Sequence, residues 1–219
     1  MPMLSEADKL EVQKRLADLK GQVRLVMFTQ ELECQYCRET RELLEDVASL
    51  SDKISLEVYN FVLDEEEVKR YGVDKIPAIV VEGERDYGIR FYGIPAGYEF
   101  AALLEDIRMV SSGESGLSQE AKDTLGGLSS LVHIQVFVTP TCPHCPRAGI
   151  TAHKMALESE LVRADVVEAT EFPHLANRYG IYAVPKVVIN ETTSFEGALP
   201  EHYFLQYVLK VASGWRWWP

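Results

Sequence analysis

This 219-residue chain has no apolar run approaching the about 20 residues that a membrane-spanning helix requires, so no membrane partner or span is expected. It also lacks a basic excess. Lys and Arg number 22 against 34 Asp and Glu, a net charge of −12, which argues against sequence-independent binding to nucleic acid or to an anionic lipid surface. The stretch "MPMLSEADKLEVQKRLADLK" lacks the basic start and apolar middle of a secretory leader, and the expected location is cytoplasmic. Cysteine is scarce: there are four, and none lies outside the two motifs "CQYC" (Cys34, Cys37) and "CPHC" (Cys142, Cys145). A small domain stapled by disulfides spreads its cysteines across its loops. Concentration of all four in two short motifs points instead to thiol chemistry. The remainder, 47% hydrophobic and 26% charged, is enough for a buried core without staples.

What is present is a repeat. Cys34 and Cys142 are 108 residues apart, and so are Cys37 and Cys145, Tyr71 and Tyr179, Gly72 and Gly180, and Pro77 and Pro185. The apolar runs "VRLVMF" and "VHIQVF" align at an offset of 109, which one extra residue in the first loop before the cysteines explains. Landmarks that share one offset imply two copies of one unit. The expected units are residues 1–112 and 113–219, joined at the Gly/Ser stretch "SSGESGLS", short enough to pack the halves side by side.

Each unit reads the same way. A leading helix, capped by Ser5 or Ser118, precedes a β-branched strand (residues 23–28 or 132–137). In the first leading helix Leu10, Leu16 and Leu19 are expected to face inward. The C-x-x-C then opens a long helix, followed by a second strand, a polar helix ending in Tyr-Gly, two short strands forming a hairpin, and a closing helix. This is an α/β pattern with a mixed central sheet. A C-x-x-C at a helix start exposes its first cysteine to unpaired N–H groups and to the positive end of the helix, which favour thiolate. Cys34 and Cys142 are therefore the expected nucleophiles, with Cys37 and Cys145 resolving the mixed disulfide from a position one turn in. Forty residues beyond each second cysteine stands an apolar-Pro pair, Ile76-Pro77 or Val184-Pro185. Proline cannot sit inside a central ladder. As a cis peptide beside the cysteines it leaves the preceding backbone free to bind an extended substrate chain, so Ile76, Pro77, Val184 and Pro185 are the candidate substrate-binding residues.

With "CQYC", "CPHC", "YGVDKIP" and "YGIYAVP", nearly the whole chain resembles the thioredoxin and glutaredoxin superfamily, and its tandem form resembles the protein disulfide oxidoreductases of thermophilic archaea and bacteria. The resemblance implies two thioredoxin-like units and an enzyme that reduces, oxidises or reshuffles protein disulfides. It implies no bound cofactor and no metal, protein thiols and disulfides as substrates, and electrons from a thioredoxin-reductase-like flavoprotein. In that family a cytosolic disulfide is ordinary. One departure stands out: the buried acid that thioredoxins carry six residues before the first cysteine is replaced by Phe28 and Val136. Glu31, Glu33 and Glu168 are the candidate proton acceptors in its place.

The two sites differ. Cys34 lies among Glu31, Glu33 and Glu39, which raise a thiol's pKa, with Arg38 and Arg41 as the nearby cations. Cys142 has His144 and Arg147 nearby and no acid within fifteen residues in either direction. His144 and Arg147 are expected to tune the Cys142 thiolate, Pro143 to take the first helical position, and the second site to be the more oxidising. Other readings remain: a dithiol carrier feeding a peroxidase, or a non-catalytic module binding a metal or client. Zinc knuckles place their pairs about 15–20 residues apart, whereas 104 residues separate Cys37 from Cys142. His153 is expected at the surface or in ordinary packing, and His133, His174 and His202 in structural roles. The tail "GWRWWP" carries Trp215, Trp217 and Trp218, candidates for a homo-oligomer contact when they do not dock on their own chain.

Overall fold

The computed structural model describes residues 3–212, so the proposed contact through Trp215, Trp217 and Trp218 lies outside the described residues. In chain order the first half comprises α1 (Glu6–Arg15), β1 (Val23–Thr29), α2 (Cys37–Ala48), β2 (Ile54–Asn60), α3 (Glu65–Tyr71), β3 (Ala78–Glu82), β4 (Asp86–Tyr92) and α4 (Tyr98–Ser112). The second half repeats the order with α5 (Gln119–Gly126), β5 (Val132–Val138), α6 (Cys145–Glu158), β6 (Val162–Glu168), α7 (Pro173–Arg178), β7 (Lys186–Ile189), β8 (Thr193–Glu196) and α8 (Glu201–Ala212). Local chemistry sets several of these boundaries. Ser5 and Asp8 form a reciprocal capping box at α1, and Ser118 caps α5 through the Ala121 N–H. Gly72 ends α3 in the left-handed conformation, φ 62°, where a Cβ is disfavoured. The expectation for Leu10 fails: it is exposed, and Val12 takes the inward place. Val12, Leu16 and Leu19 share one stripe at helical spacing, and Leu10 falls on the opposite face.

The two halves build one eight-stranded sheet, ordered β2-β1-β3-β4-β6-β5-β7-β8. Within each half the first two strands are parallel and the hairpin is antiparallel. The halves join through β4 and β6, which pair in parallel from Ile89 opposite Ala164 to Tyr92 opposite Val167. Helices cover both faces, so β1 is apolar at nearly every position: Leu25 and Met27 enter one core, Val26 and Phe28 the other. The free edges are β2 and β8, and β8 has only four residues against seven in its internal counterpart β4.

Polar groups tie the junction. The Arg163 guanidinium donates to the Gly72 carbonyl oxygen (2.9 Å), to the Tyr92 hydroxyl (2.6 Å) and to the buried Asp165 (2.9 Å), binding first-half backbone to a second-half strand. Burial alone would raise the Asp165 carboxyl, but His133 (2.6 Å) and Arg163 hold it well below the usual carboxylate range. The linker is packed: the Ser111 hydroxyl donates to the Gly21 carbonyl oxygen (2.8 Å), and Ser115 is 2% exposed with its hydroxyl on Glu158.

All connections place the C-terminal ends of β1, β4, β5 and β6 on one edge of the sheet. The two C-x-x-C loops leave from that edge, four strand positions apart, or about 19 Å at the usual strand spacing. The α4 N-terminus crosses the gap. Gly97 sits at φ 60° directly beneath the Pro140 carbonyl, and the Tyr98 N–H donates to that oxygen (3.0 Å). Replacing Gly97 with Ala should therefore cost about 3 kcal/mol, combining a disfavoured φ with backbone collision. Gly113→Ala, with a similar φ but open space around it, should cost about 1 kcal/mol. Urea denaturation of both variants checks the difference.

Candidate active sites

Each C-x-x-C is closed as a disulfide, Cys34–Cys37 and Cys142–Cys145, with Cα–Cα distances of 5.5 Å in both. The second cysteine is the first helical residue in each case, so the resolving thiol stands at the helix start, not one turn in. The CPHC turn accounts for another difference from expectation. Pro143 lies in the turn before α6, and Pro146 occupies the first helical turn, where its missing N–H has no intrahelical partner to lose. Cys37 and Cys145 are buried beneath their helices, at 2% and 0% exposure. The outer cysteines differ: Cys34 is half-buried and opens into a groove of about 470 Å³, whereas Cys142 is buried, 8% exposed.

The peptide bonds Ile76–Pro77 and Val184–Pro185 are cis, and Cys142 Sγ lies 3.7 Å from the Val184 carbonyl oxygen. The two prolines are tied alike, Pro77 through its carbonyl oxygen to the Gly93 N–H (2.9 Å) and Pro185 to the Gly197 N–H (2.8 Å). His144 is the exposed N-cap residue of α6. The Arg147 guanidinium donates to the Ala198 carbonyl oxygen (2.5 Å), clamping the helix start to the loop before α8.

Of the candidate proton acceptors, Glu31 and Glu33 are exposed beside the first site. Glu168 is buried but committed, accepting from the Thr170 hydroxyl (2.6 Å) and from the Glu171 N–H (2.8 Å) to close the turn after β6. The acid buried against an active-site helix is Glu99, which sequence reasoning missed. It is 2% exposed, and neither carboxyl oxygen has a hydrogen-bond partner among the described residues. Burial, reinforced by Asp106, pushes its pKa up to about 8. Glu99 comes from α4 in the first half and points at α6 in the second: its Oε2 lies 3.9 Å from where a Cβ on Gly149 would stand. Gly149 follows Cys145 by four residues and shares its helix face, so Glu99 lies within about one turn of the resolving cysteine. Seven residues along α4, Asp106 meets His153 Nδ1 at 2.6 Å. Both residues are fully buried, and His153 Nε2 reaches the Arg90 carbonyl oxygen at 3.3 Å. His153 is thus a packing residue of the junction and not a surface one. The signal that could have found Glu99 was an acidic residue at a position where α4 must face a neighbour, two residues beyond a glycine.

A continuous segment bridges the sites. Gly93 bonds to Pro77, the Ile94 N–H donates to Glu171 Oε1 (2.7 Å), and Tyr98 bonds to Pro140, two residues before Cys142. No group of three or more His, Cys, Asp or Glu among the described residues is arranged to hold a metal ion, and no described helix is long and apolar enough to cross a membrane.

Comparison with known proteins places this geometry. The thioredoxin-domain family model matches twice, over residues 25–105 and 132–210. The structure superposes on a protein disulfide oxidoreductase from Aeropyrum pernix k1 with a TM-score of 0.92 and 33% identity, covering 98% of this chain and 96% of that one. A thioredoxin from Methanocaldococcus jannaschii is 37% identical over 82 residues, 37% of this chain and 96% of its own. The F component of the Staphylococcus aureus alkyl hydroperoxide reductase is 26% identical over 185 residues, 80% of this chain but 34% of its own length. The chain spans only about a quarter to a third of such longer relatives.

The Glu99 environment sets a pH dependence. A carboxyl with its folded pKa near 8 and an ordinary unfolded value binds its proton more tightly in the folded state. Stability is intact below about pH 4.5, falls as pH rises toward 8, and then levels off, with a total loss on the order of a few kcal/mol. Glu99→Gln should remove its share of the slope and leave that of Glu171, which burial raises to about 7. Denaturant midpoints from pH 5 to pH 9 measure it.

Proposed function

The chain belongs to the thioredoxin-domain family as a tandem member, and from that membership we propose that it is a protein thiol–disulfide oxidoreductase with two active sites, one in residues 1–112 and one in 113–219. The observation that carries the reading is the double occurrence of a disulfide at a helix start, each with an apolar-proline pair about forty residues beyond its second cysteine. In the reducing direction, the Cys34 or Cys142 thiolate attacks one sulfur of a client disulfide. A mixed disulfide forms and the first client thiolate leaves. Cys37 or Cys145 then loses its proton and attacks the outer cysteine, closing the protein's disulfide and releasing the second client thiolate. At the second site Glu99 is the acceptor for the Cys145 proton. Its raised pKa, about 8, suits exchange with a thiol near neutral pH. Ile76, Pro77, Val184 and Pro185 hold the extended client, and His144 with the α6 N-terminus stabilises the Cys142 thiolate, as Arg147 does through the field of its charge.

The chemistry needs no bound cofactor in this reading, because the electrons reside in the sulfurs and return from an external dithiol or a thioredoxin-reductase-like flavoprotein. The similarity to part of an alkyl hydroperoxide reductase favours a second reading, in which the same dithiols relay electrons toward a peroxidase. A cytoplasmic location belongs to the first reading and is supported by the confinement of all four cysteines to the two pairs.

Reduced full-length protein should accelerate insulin precipitation by dithiothreitol, and the Cys34→Ser/Cys142→Ser double variant should not. Alkylation rates against pH should give a lower apparent pKa for Cys142 than for Cys34. A lower value at Cys34 would reverse the ranking of the sites. Glu99→Gln should slow resolution at the second site by about tenfold or more and leave the first site's rate unchanged.

A further inference from the structure

The surface around the first disulfide has a character of its own. Its groove, lined by Thr29, Glu31, Cys34, Arg38, Tyr59 and Asp64, is flanked by three large apolar side chains held in solvent: Leu32 at 78% exposure, Val62 at 60% and Leu63 at 79%. The chain builds this display. Asn60 Oδ1 accepts from both the Val62 and Leu63 N–H groups (2.9 and 3.0 Å), and Asp64 Oδ2 accepts from the Asn60 N–H (2.6 Å). The polar atoms of the turn are satisfied inward, and its two apolar side chains are left pointing out. Leu32 follows the groove residue Glu31 and precedes Glu33, a non-glycine residue in the left-handed region at φ 58°. Exposed apolar groups clustered at a groove mark a binding surface.

Charge defines the occupant. The cations at this end are already neutralised: Arg38 by Glu39, Arg41 by Glu45, Lys69 by Glu65 and Arg70 by Glu67. Among the described residues Glu31, which lines the groove, and the exposed Glu33 and Glu66, within two residues of its lining residues Cys34 and Asp64, have no such partner, so this end carries uncompensated negative charge. The second site lacks this combination among its described residues: its outer cysteine is buried, and its exposed neighbours Thr141, Pro143, His144, Arg147, Tyr182 and Ala183 include an aromatic ring but no acid.

We infer that the first site selects disulfides in polypeptides that are apolar next to the cystine and cationic beyond it, with Leu32, Val62 and Leu63 gripping the apolar flank and Glu31, Glu33 and Glu66 attracting the charge. The inference rests on the oxidoreductase reading. In the step concerned, the Cys34 thiolate attacks the peptide cystine, Cys37 displaces the mixed disulfide, and the peptide leaves as a dithiol. The two electrons are those that dithiothreitol delivers to Cys34 and Cys37 before the peptide is added.

The test uses the full chain with Cys142→Ser/Cys145→Ser, reduced and freed of dithiothreitol. Its substrates are two peptides with one intramolecular disulfide and identical leucine flanks, one bearing lysines and the other glutamates. The lysine peptide should react at least tenfold faster at low ionic strength, the difference collapsing near 1 M salt. Glu31→Gln/Glu33→Gln/Glu66→Gln should bring the ratio of the lysine-peptide rate to the glutamate-peptide rate down toward one, whatever it does to the common exchange step, and Leu32→Ser/Leu63→Ser should weaken both peptides through KM. Equal rates for the two peptides, or a faster glutamate peptide, overturn the inference. Exchange with a small neutral disulfide, oxidised dithiothreitol, separates the two levels. If that exchange proceeds while the peptides show no preference, only the selectivity falls. If it fails as well, the oxidoreductase reading of this site falls and takes the selectivity with it.

Discussion

The parallel pairing of β4 with β6 is the constraint on which the rest of the molecule depends. It merges two four-stranded sheets into one, removes two of four exposed edges, and sets the halves side by side in the same orientation. Because the strands on either side of the junction run the same way, both C-x-x-C loops emerge on one edge of the sheet. The same pairing drives α4, the closing helix of the first half, against α6, the active-site helix of the second.

That arrangement makes two similar sequences into two dissimilar sites. A head-to-tail repeat gives each unit different neighbours. The second active-site helix receives α4 from the other half, whereas the first is met by its own leading segment, where the Leu4 N–H donates to Asp46 of α2. Glu99, Asp106 and the Gly97 backbone therefore meet Gly149, His153 and Pro140 of the second half. The first site lies at the outer end of the sheet, beside the edge strand β2, with an open groove and an exposed apolar rim. The second is enclosed and equipped with a buried carboxyl of raised proton affinity. Duplication supplied the chemistry twice, and packing divided its conditions.

Much of this was legible in the sequence, and the failures share a cause. Helix starts at Ser5 and Ser118, the left-handed Gly72 and the cysteine-to-proline spacing all rest on interactions within a few residues or on a repeated pattern, which the sequence displays directly. Leu10 was misplaced because leucine content alone does not fix which of two faces a short helix buries, and Val12 fits the stripe better. The packing role of His153 was among those expected, but its partner was unreadable because Asp106 stands 47 residues upstream in the other half.

The sequence by itself determined the α/β class, the duplication, the four reactive cysteines and the prolines that accompany them, because periodicity, spacing and the composition of turns are local properties. Only the tertiary structure decided that the two sheets are one, that both C-x-x-C loops leave one end of the strands, and that a glutamate from one half is buried against the active-site helix of the other. Those outcomes depend on strand pairing and helix packing between residues far apart in the chain. A charge distant in sequence from a cysteine, as Glu99 is from Cys145, can be buried against that cysteine's helix.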